Sequence, residues 1–242
     1  MFSTKCYILL CFATYFVAKS DASVVPFINP CAPNDQKCIL LSGKAALPHL
    51  TAGLPELGIP VIDPIKIDSV RSDGNSLKLG FRNIQITGVK KCKMTELGRN
   101  PEKHTMKMTV ECPLYGSGQY DLKGKLGFIE AYGDGDFEMH TEKVRITVEI
   151  KIKDIQKKGE KYWKVTGYDY SYELIEKVFI KLKNLFDGDE KRAKPFVQFL
   201  DNSWKEVIEE VGGPLINQVI GVYVDLVKTL FLKVPTKDLE VS

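Results

Sequence analysis

The stretch FVQFLDNSWKEVIEEVGGPLINQVIGVYVDLVKTLF, residues 196–231, decides the fold of this chain. Apolar residues recur in it at steps of three or four, which is the spacing of a buried helical stripe. In the second half, further apolar residues widen the stripe to most of the helix circumference, so other elements must surround the helix. The stripe consists of Val197, Leu200, Trp204, Val207, Val211, Leu215, Val219, Val222, Leu226 and Leu230, and the residues that widen it are Ile216, Ile220, Val224, Val227 and Phe231.

We predict that this stretch forms one long core helix. At a rise of ~1.5 Å per residue it would measure about 50 Å, and Gly212-Gly213-Pro214 is expected to bend it. Four polar residues, Asn217, Gln218, Asp225 and Lys228, interrupt the apolar sequence. The stretch therefore lacks the roughly 18 uninterrupted apolar residues typical of a membrane span, and we predict no stable membrane insertion.

Between the termini the dominant period is two. Residues 143–153 give the clearest example, because every second residue is apolar and the others are charged or polar. Such alternation gives a β-strand one apolar face and one charged face. Shorter alternating runs occupy 77–86, 106–110, 120–122, 168–174 and 178–182, and the predicted turns are Asp73-Gly74-Asn75, Asp134-Gly135, Lys158-Gly159 and Asp187-Gly188.

The predicted fold class is α+β. The middle region has no pattern for crossover helices, so its strands are expected to pair antiparallel. A sheet with one apolar face can bury that face by curling around the apolar helix. We therefore predict a strongly curved antiparallel β-sheet wrapped around one long C-terminal α-helix. A short N-terminal helix is expected from Asp35 to Leu47, with Asn34 or Asp35 as its N-cap, followed by an extended proline-containing segment at 54–64.

The N-terminus carries the features of a secretory signal peptide. A cationic start precedes an apolar run at 7–17, and small residues precede plausible cleavage positions after Ser20 or Ala22. An apolar run of about eleven residues is too short for an uncleaved anchor. We predict a signal peptide at 1–22 and one domain at 23–242, because no linker or repeat divides the remainder.

Cleavage would remove two of the six cysteines and leave four in an exported chain. Four cysteines in that compartment suggest two disulfides. Three pairings are possible, and we favour nearest neighbours, Cys31 with Cys38 and Cys92 with Cys112. A zinc site is the alternative, but the sequence has neither CxxC pairs nor clustered histidines. We therefore predict no metal site.

Charge and motifs argue against several functional classes. The formal net charge of +3 becomes +2 when Lys5, Lys19 and Asp21 are removed, so nucleic acid is a poor candidate partner. The sequence contains no GxSxG, HExxH, GxxxxGK[ST] or strand-following GxGxxG motif. We predict no catalytic residue, no cofactor and no enzymatic activity. The run Gly133-Asp134-Gly135-Asp136 is interpreted as a turn, because no Glu stands at the offset that an EF-hand calcium loop requires.

A series of short motifs runs along nearly all of the mature chain. Singly these motifs are weak, but their order and spacing are specific. They are the close pair Cys31 and Cys38, Pro55-Glu56-Leu57-Gly58-Ile59-Pro60 with Asp63-Pro64, Phe81-Arg82-Asn83-Ile84-Gln85-Ile86-Thr87-Gly88, Gly133-Asp134-Gly135, Asn184-Leu185-Phe186-Asp187-Gly188-Asp189, Phe199-Leu200-Asp201-Asn202-Ser203-Trp204 and Val234-Pro235-Thr236-Lys237-Asp238-Leu239. With these motifs the chain resembles the insect takeout and haemolymph juvenile hormone-binding protein family.

The resemblance implies a fold and a function. Members of that family wrap a long helix in a curved antiparallel sheet, a fold related to the tubular lipid-binding domains. They bind small lipophilic molecules, juvenile hormones among them, in an apolar cavity between sheet and helix. One departure is that Cys92 and Cys112 do not correspond to the second disulfide of the hormone carriers. That departure favours a takeout-like or divergent carrier over a carrier of juvenile hormone itself.

We therefore predict a secreted, monomeric carrier in haemolymph or another extracellular fluid, which binds a juvenile hormone, a related terpenoid or a fatty acid. One alternative is a membrane-acting lipid-binding protein of the bactericidal/permeability-increasing type, which would need a cationic tip; another is an enzyme with an unfamiliar site. The same periodicity also builds an ordinary packed core. The candidate ligand-binding residues are Tyr120, Tyr168, Tyr170 and Tyr172 for their hydroxyls, and Trp204, Val207, Val211, Leu215 and Val219 on the helix.

Overall fold

The computed structural model describes residues 23–74, 76–126 and 129–241, so the predicted signal peptide at 1–22 lies outside the described residues. The helices are α1 Gln36–Ala52, α2 Glu190–Asn202, α3 Trp204–Val211 and α4 Gly213–Lys233. The strands are β1 Ile65–Arg71, β2 Leu77–Thr87, β3 Lys93–Asn100, β4 Thr105–Leu126, β5 Ile129–Lys157, β6 Glu160–Leu174 and β7 Phe179–Leu182. Short 3₁₀ turns lie at Pro55–Leu57, Val89–Lys91, Phe186–Gly188 and Thr236–Asp238.

The seven strands form one antiparallel sheet built on the long hairpin of β4 and β5. One edge of β4 pairs with β5, and the other edge pairs with β3 along its first half and with β2 along its second half. The second edge of β5 pairs in the same way with β7 and then β6. Because two strands share each outer edge, the sheet is long enough to follow the helices along its inner face. The predicted fold class is confirmed.

The alternation predicted for 143–153 is present in β5. Its apolar residues Val144, Ile146, Val148, Ile150 and Ile152 are all buried on the inner face of the sheet. The polar residues between them are exposed or half-buried. The period of two therefore identifies the wall that faces the helices.

The predicted C-terminal helical segment is present and changes direction at Gly212, where a bend was predicted, but it has an additional break. It consists of three helices, with breaks at Ser203, whose backbone is non-helical, and at Gly212. A side chain at Gly212 would place its Cβ 2.5 Å from the carbonyl oxygen of Ile208, so glycine permits the close approach there. Pro214 stands in the first turn of α4, where its missing N–H leaves no helical hydrogen bond unmade.

The breaks change which residues of the predicted stripe are buried. Val197 is 45% exposed, and Trp204 is only partly buried. The break at Ser203 resets the helical phase, so the three- and four-residue steps across it do not describe one face. The buried residues of the three helices are Phe196, Leu200, Val207, Ile208, Leu215, Val219, Ile220, Val224, Leu226, Leu230 and Phe231.

The turn predicted at Asp134-Gly135 is also wrong, because these residues lie inside β5. A Cβ on Gly135 would lie 2.4 Å from the carbonyl oxygen of Lys183, and a Cβ on Gly133 would lie 2.7 Å from the Tyr120 hydroxyl. The glycines therefore mark a close backbone approach instead of a chain reversal. By contrast, Lys158-Gly159 does connect β5 and β6, with positive φ at both residues.

The N-terminal helix α1 is longer than predicted, since it continues past Leu47 to Ala52. Asp35 is its N-cap and accepts a hydrogen bond from the Cys38 N–H at 2.9 Å. The segment at 54–64 contains the 3₁₀ turn Pro55–Leu57 in addition to extended residues. Both predicted disulfides are present: Cys31–Cys38 joins the N-terminal segment to α1, and Cys92–Cys112 joins the residue before β3 to β4.

Candidate ligand-binding site

Three apolar cavities lie between the inner face of the sheet and the helices. We name them the α1 cavity, beside α1 and the second half of α4; the central cavity, beside the first half of α4; and the α3 cavity, beside α2 and α3. They enclose about 1030, 690 and 760 Å³ respectively, counting the space at their open ends. Their walls are lined mainly by apolar side chains, as is typical of sites for small organic molecules.

The cavities follow one another in a row. The central and α3 cavities share Leu215, Ile216, Ile208 and Met139 as wall residues. The α1 cavity is bounded by Val148 and Val224, whereas the central cavity is bounded by Ile146 and Ile220. Ile146 and Val148 are successive residues on the same face of β5, and Ile220 and Val224 are one turn apart on α4. The row therefore runs along most of α3 and α4.

The α3 cavity has only apolar side chains in its wall. Strands β2, β4, β5 and β7 supply one side, and α2, α3 and the start of α4 supply the other. Its wall residues include Leu79, Phe81, Leu122, Phe137, Leu200, Val207, Val211 and Leu215. Such a wall can hold a hydrocarbon but offers no side-chain hydrogen bond to fix a polar group.

The central cavity combines an apolar wall with a few polar groups at one side. Thr141 donates a hydrogen bond to the Glu176 carbonyl oxygen at 3.2 Å. His140, which alternates with the inward Met139 and Thr141, is exposed, and its ring stacks between Tyr115 and Phe179 on the outer face of the sheet, at centroid distances of 5.8 and 4.8 Å. Burial, together with the negative charge of Glu209, raises the pKa of Tyr172 above its ordinary value. The inward polar side chains of this cavity are therefore Thr141 on β5 and Tyr172 on β6.

The α1 cavity has the most varied wall of the three. Strands β3 and β4 contribute the flexible side chains Met94, Met106 and Met108, which can adapt to a ligand's shape. Helix α1 covers them closely, since a Cβ on Gly43 would lie 2.4 Å from Cδ2 of Leu97. On the opposite side stand β6 and the second half of α4.

Two charged residues, Arg99 of β3 and Glu240, line the α1 cavity, and Arg99 is the more deeply buried of the two. Arg99 is 8% exposed, and its Nη1 donates hydrogen bonds to the carbonyl oxygens of Asn100 at 2.9 Å and Thr105 at 3.2 Å. The guanidinium carbon lies 5.3 Å from the centroid of the Trp163 ring. Within the described part of the chain, Nε of Arg99 has no hydrogen-bond partner.

Glu240 is the counter-ion of Arg99 in this wall. Its Oε2 lies 3.6 Å from Nε of Arg99, an ion pair longer than a hydrogen bond. Burial raises the pKa of the Glu240 carboxyl above its ordinary value, although the Arg99 charge opposes that shift. The C-terminal segment that carries Glu240 is fixed to the N-terminal segment, because the Val241 N–H donates to the Cys31 carbonyl oxygen at 3.1 Å.

The structure places five of the nine predicted ligand-binding residues in cavity walls. Val207 and Val211 line the α3 cavity, Leu215 lines both the α3 and central cavities, and Val219 and Tyr172 line the central cavity. The other four, Tyr120, Tyr168, Tyr170 and Trp204, line none of the three. The Tyr120 hydroxyl already donates to the Lys183 carbonyl oxygen at 2.8 Å.

Sequence reasoning missed the residues of the α1 cavity that carry polar or aromatic groups. Trp163 could have been found, because Trp163 and Val165 alternate with polar residues in the sequence, a pattern that predicts the buried face of a strand. Both residues are buried in β6. Arg99 and Glu240 carried no signal of their own, since charged residues are normally exposed, and Tyr223 lies in the middle of α4 outside the predicted apolar stripe. Only the folding of the C-terminal segment onto Cys31 brings Glu240 to Arg99.

The described residues were also compared with the requirements of a metal site and of a membrane span. Across 23–74, 76–126 and 129–241, no group of three or more His, Cys, Asp or Glu side chains could hold a metal ion. Helix α4, Gly213–Lys233, is long and apolar enough to cross a membrane by length and composition alone. The core helix of a water-soluble protein meets the same criterion, and α4 contributes to the walls of the α1 and central cavities.

An antiparallel sheet closed over apolar helices, with a row of apolar cavities between them, defines the class of carrier folds for lipophilic ligands. This chain belongs to the haemolymph juvenile hormone binding protein family, whose sequence profile matches residues 6–240. Its structure is similar to the crystal structure of Epiphyas postvittana Takeout 1, with a TM-score of 0.85 and 21% identity over 89% of this chain and 100% of that chain. The predicted family is confirmed, and the likeness to Takeout 1 shows the fold.

A more distant likeness is to the crystal structure of lipopolysaccharide binding protein. It has a TM-score of 0.42 and 12% identity, and it covers 85% of this chain and 42% of that chain. At that level of similarity it supports no functional conclusion. A search of curated proteins found no match.

Proposed function

We propose that this protein is a secreted carrier that binds one elongated lipophilic molecule, a juvenile hormone, a related terpenoid or a fatty acid, without transforming it. The observation that carries the proposal is the row of three apolar cavities along the same face of α3 and α4. Membership of the juvenile hormone binding protein family supports the ligand class. The two disulfides and the predicted signal peptide at 1–22 support an extracellular location.

The binding energetics suit such a carrier. A chain-like ligand that buries ~300 Å² of apolar surface gains roughly 7 kcal/mol at about 25 cal/mol/Å². The loss of translational and rotational freedom opposes this gain. One or two hydrogen bonds to a polar end group would restore part of it. We expect dissociation constants between low micromolar and nanomolar.

Native mass spectrometry tests the proposal directly. Protein secreted from eukaryotic cells and purified without delipidation should carry one lipophilic molecule per monomer. The same molecule, incubated with the protein and recovered by extraction, should have an unchanged mass and chromatographic retention. A protein that is empty and that fails to bind terpenoids or fatty acids below about 100 μM would contradict the carrier proposal, since apolar burial of this size predicts tighter binding.

We also propose that the carrier acts without stable insertion into a membrane. Helix α4 packs its buried residues, including Val219, Val224 and Leu230, against the protein interior. Insertion would require α4 to leave the sheet and expose the opposite walls of two cavities to water. Sedimentation with neutral and anionic lipid vesicles tests this proposal: the protein should remain in the supernatant with both, and retention on either vesicle would favour the membrane-acting alternative.

A further inference from the structure

We propose that the α1 cavity holds the polar end of the ligand, and that Arg99 recognises there a neutral hydrogen-bond acceptor such as an ester or ketone oxygen. This inference rests on the proposed carrier function and deepens it, because it assigns a polarity to the row of cavities and a chemical class to the ligand's end group. The apolar tail would lie towards the central and α3 cavities.

The polar groups that line the α1 cavity differ in whether they have hydrogen-bond partners. The Ser42 hydroxyl donates to the carbonyl oxygen of Asn29 at 2.8 Å and accepts from the Asn29 N–H at 2.9 Å. The Tyr223 hydroxyl contacts Sγ of Cys92 at 3.9 Å. By contrast, Nε of Arg99 is buried and has no hydrogen-bond partner among the described residues. A buried donor without an acceptor is unfavourable, and a ligand oxygen would satisfy it.

Arg99 is held in place by the residues around it. Its Nη1 is fixed by two backbone carbonyl oxygens, and its guanidinium lies against the Trp163 ring. Trp163 is itself buried and packs edge to face against Phe231 of α4, with ring centroids 5.1 Å apart. A donor held by the surrounding structure loses little freedom when it binds an acceptor, which favours recognition.

The charge balance at Arg99 favours a neutral acceptor over a carboxylate. The Glu240 carboxylate already lies 3.6 Å from Nε of Arg99 and compensates its charge. A fatty-acid carboxylate would add a second anion beside Glu240 in a site with little access to water, whereas an ester or ketone would leave the pair neutral. The other charges that act on Glu240 are those of Asp154 and Lys161, which form an exposed ion pair of their own.

The α3 cavity, at the opposite end of the row from the α1 cavity, differs from it in having no polar side chain in its wall. The wall of the α3 cavity consists of apolar side chains alone, so a polar end group placed there would lose its hydrogen bonds to water without replacement. A hydrocarbon tail suits that cavity. A ligand with one polar end is therefore expected to orient that end towards Arg99.

The test compares three probes that share one skeleton. A methyl ester, the free acid and the hydrocarbon, each in a linear and in a farnesyl series, displace an apolar fluorescent probe at pH 8, where the acids are ionised. We expect the wild type to bind the ester about tenfold more tightly than the acid, because the acid would place a second carboxylate beside Glu240. Equal affinities for ester and acid, or preference for the acid, would overturn the inference.

Two variants separate the roles of the ion pair. Glu240→Gln leaves the Arg99 charge uncompensated, so affinity for the acid should rise about tenfold while affinity for the hydrocarbon stays within about threefold. Arg99→Met with Glu240→Gln removes both charges, and the ester should then bind no better than the hydrocarbon. Acid affinity that is unchanged in Glu240→Gln would overturn the inference even if the double variant failed to fold.

A control variant and the hydrocarbon probes distinguish a failure of the Arg99 inference from a failure of the carrier proposal. Lys107→Met removes one member of the exposed ion pair with Glu96 on the same two strands and should change none of the affinities. If no probe of either series displaces the fluorophore from the wild type, the carrier proposal itself fails. If the hydrocarbon binds but the ester gains nothing from Arg99, only the assignment of the end group fails.

Discussion

Trp163 of β6 packs edge to face against Phe231 of α4, with ring centroids 5.1 Å apart, and this contact holds the second half of the core helix to the sheet. Trp163 is 3% exposed and also supports the guanidinium of Arg99. The sequence pattern had placed the other tryptophan, Trp204, in the core stripe. In the structure the deeper aromatic anchor is on a strand, at the opposite end of the helical segment.

Trp163→Ala should therefore lower the free energy of unfolding by about 3 to 5 kcal/mol, the range for removal of a large buried aromatic side chain. Trp204→Ala, at a partly exposed position, should lower it by only about 1 kcal/mol. Urea denaturation followed by circular dichroism measures both variants. A larger loss in Trp204→Ala than in Trp163→Ala would show that the entry of α3 is the main anchor instead.

Leu215→Trp should weaken ligand binding by about tenfold or more, because Leu215 borders both the central and α3 cavities and the larger ring would occupy the row. Overpacking of a filled core lowers the free energy of unfolding by about 1 to 3 kcal/mol. The loss in Leu215→Trp should be smaller than that, because the ring would enter a cavity. Fluorescence displacement and thermal melts measure the two effects. The control is Val197→Trp on exposed α2 surface; if both variants bind equally well, the row is not the binding site.

The two disulfides should contribute differently to stability. In the loop-entropy description, Cys31–Cys38 contributes about 2.5 kcal/mol and Cys92–Cys112 about 3 kcal/mol. Paired Cys→Ser variants of each bridge, compared by chemical denaturation, measure these contributions. Peptide mapping of the secreted protein without reduction should recover only these two pairs, and a crossed pair or a free thiol would contradict the arrangement in the structure.

Cleavage of the predicted signal peptide is open to direct measurement. Secreted protein should begin at Asp21 or Ser23, corresponding to cleavage after Ser20 or Ala22. Intact-mass analysis of the culture medium determines the first residue. Retention of the full-length chain in the membrane fraction would instead indicate an uncleaved anchor.

Alkaline pH should destabilise the fold through Tyr120. Burial, helped by the negative charge of Asp134, raises the Tyr120 pKa from 10.0 to about 12. Above about pH 10 the unfolded chain releases this proton while the folded chain keeps it, so the stabilisation is complete below pH 10 and is lost as the pH rises through about 12. Denaturation at several pH values should show a smaller alkaline loss in Tyr120→Phe than in the wild type or in Tyr162→Phe. Equal losses in all three proteins would contradict this role.

Part of the candidate site could be predicted from the sequence. Val207, Val211, Leu215 and Val219 follow the helical spacing and do line cavities, because α3 and α4 each keep their own phase after the breaks. The tyrosines were less predictable. Tyr120 is as deeply buried as any residue, yet its hydroxyl is already bonded to the backbone, and no periodicity distinguishes a bonded hydroxyl from one that faces a cavity.

The sequence by itself determined the secondary structure of the walls, the antiparallel pairing, the enclosed helical segment and the family. These follow from local periodicity, from turn residues and from motif order, which depend mainly on residues that are close together in the sequence. The tertiary structure decided where the chain leaves space unfilled and which distant charges meet. Apolar positions have the same spacing whether they border a void or a packed core, and Arg99 meets Glu240 only because the C-terminal segment folds back onto Cys31.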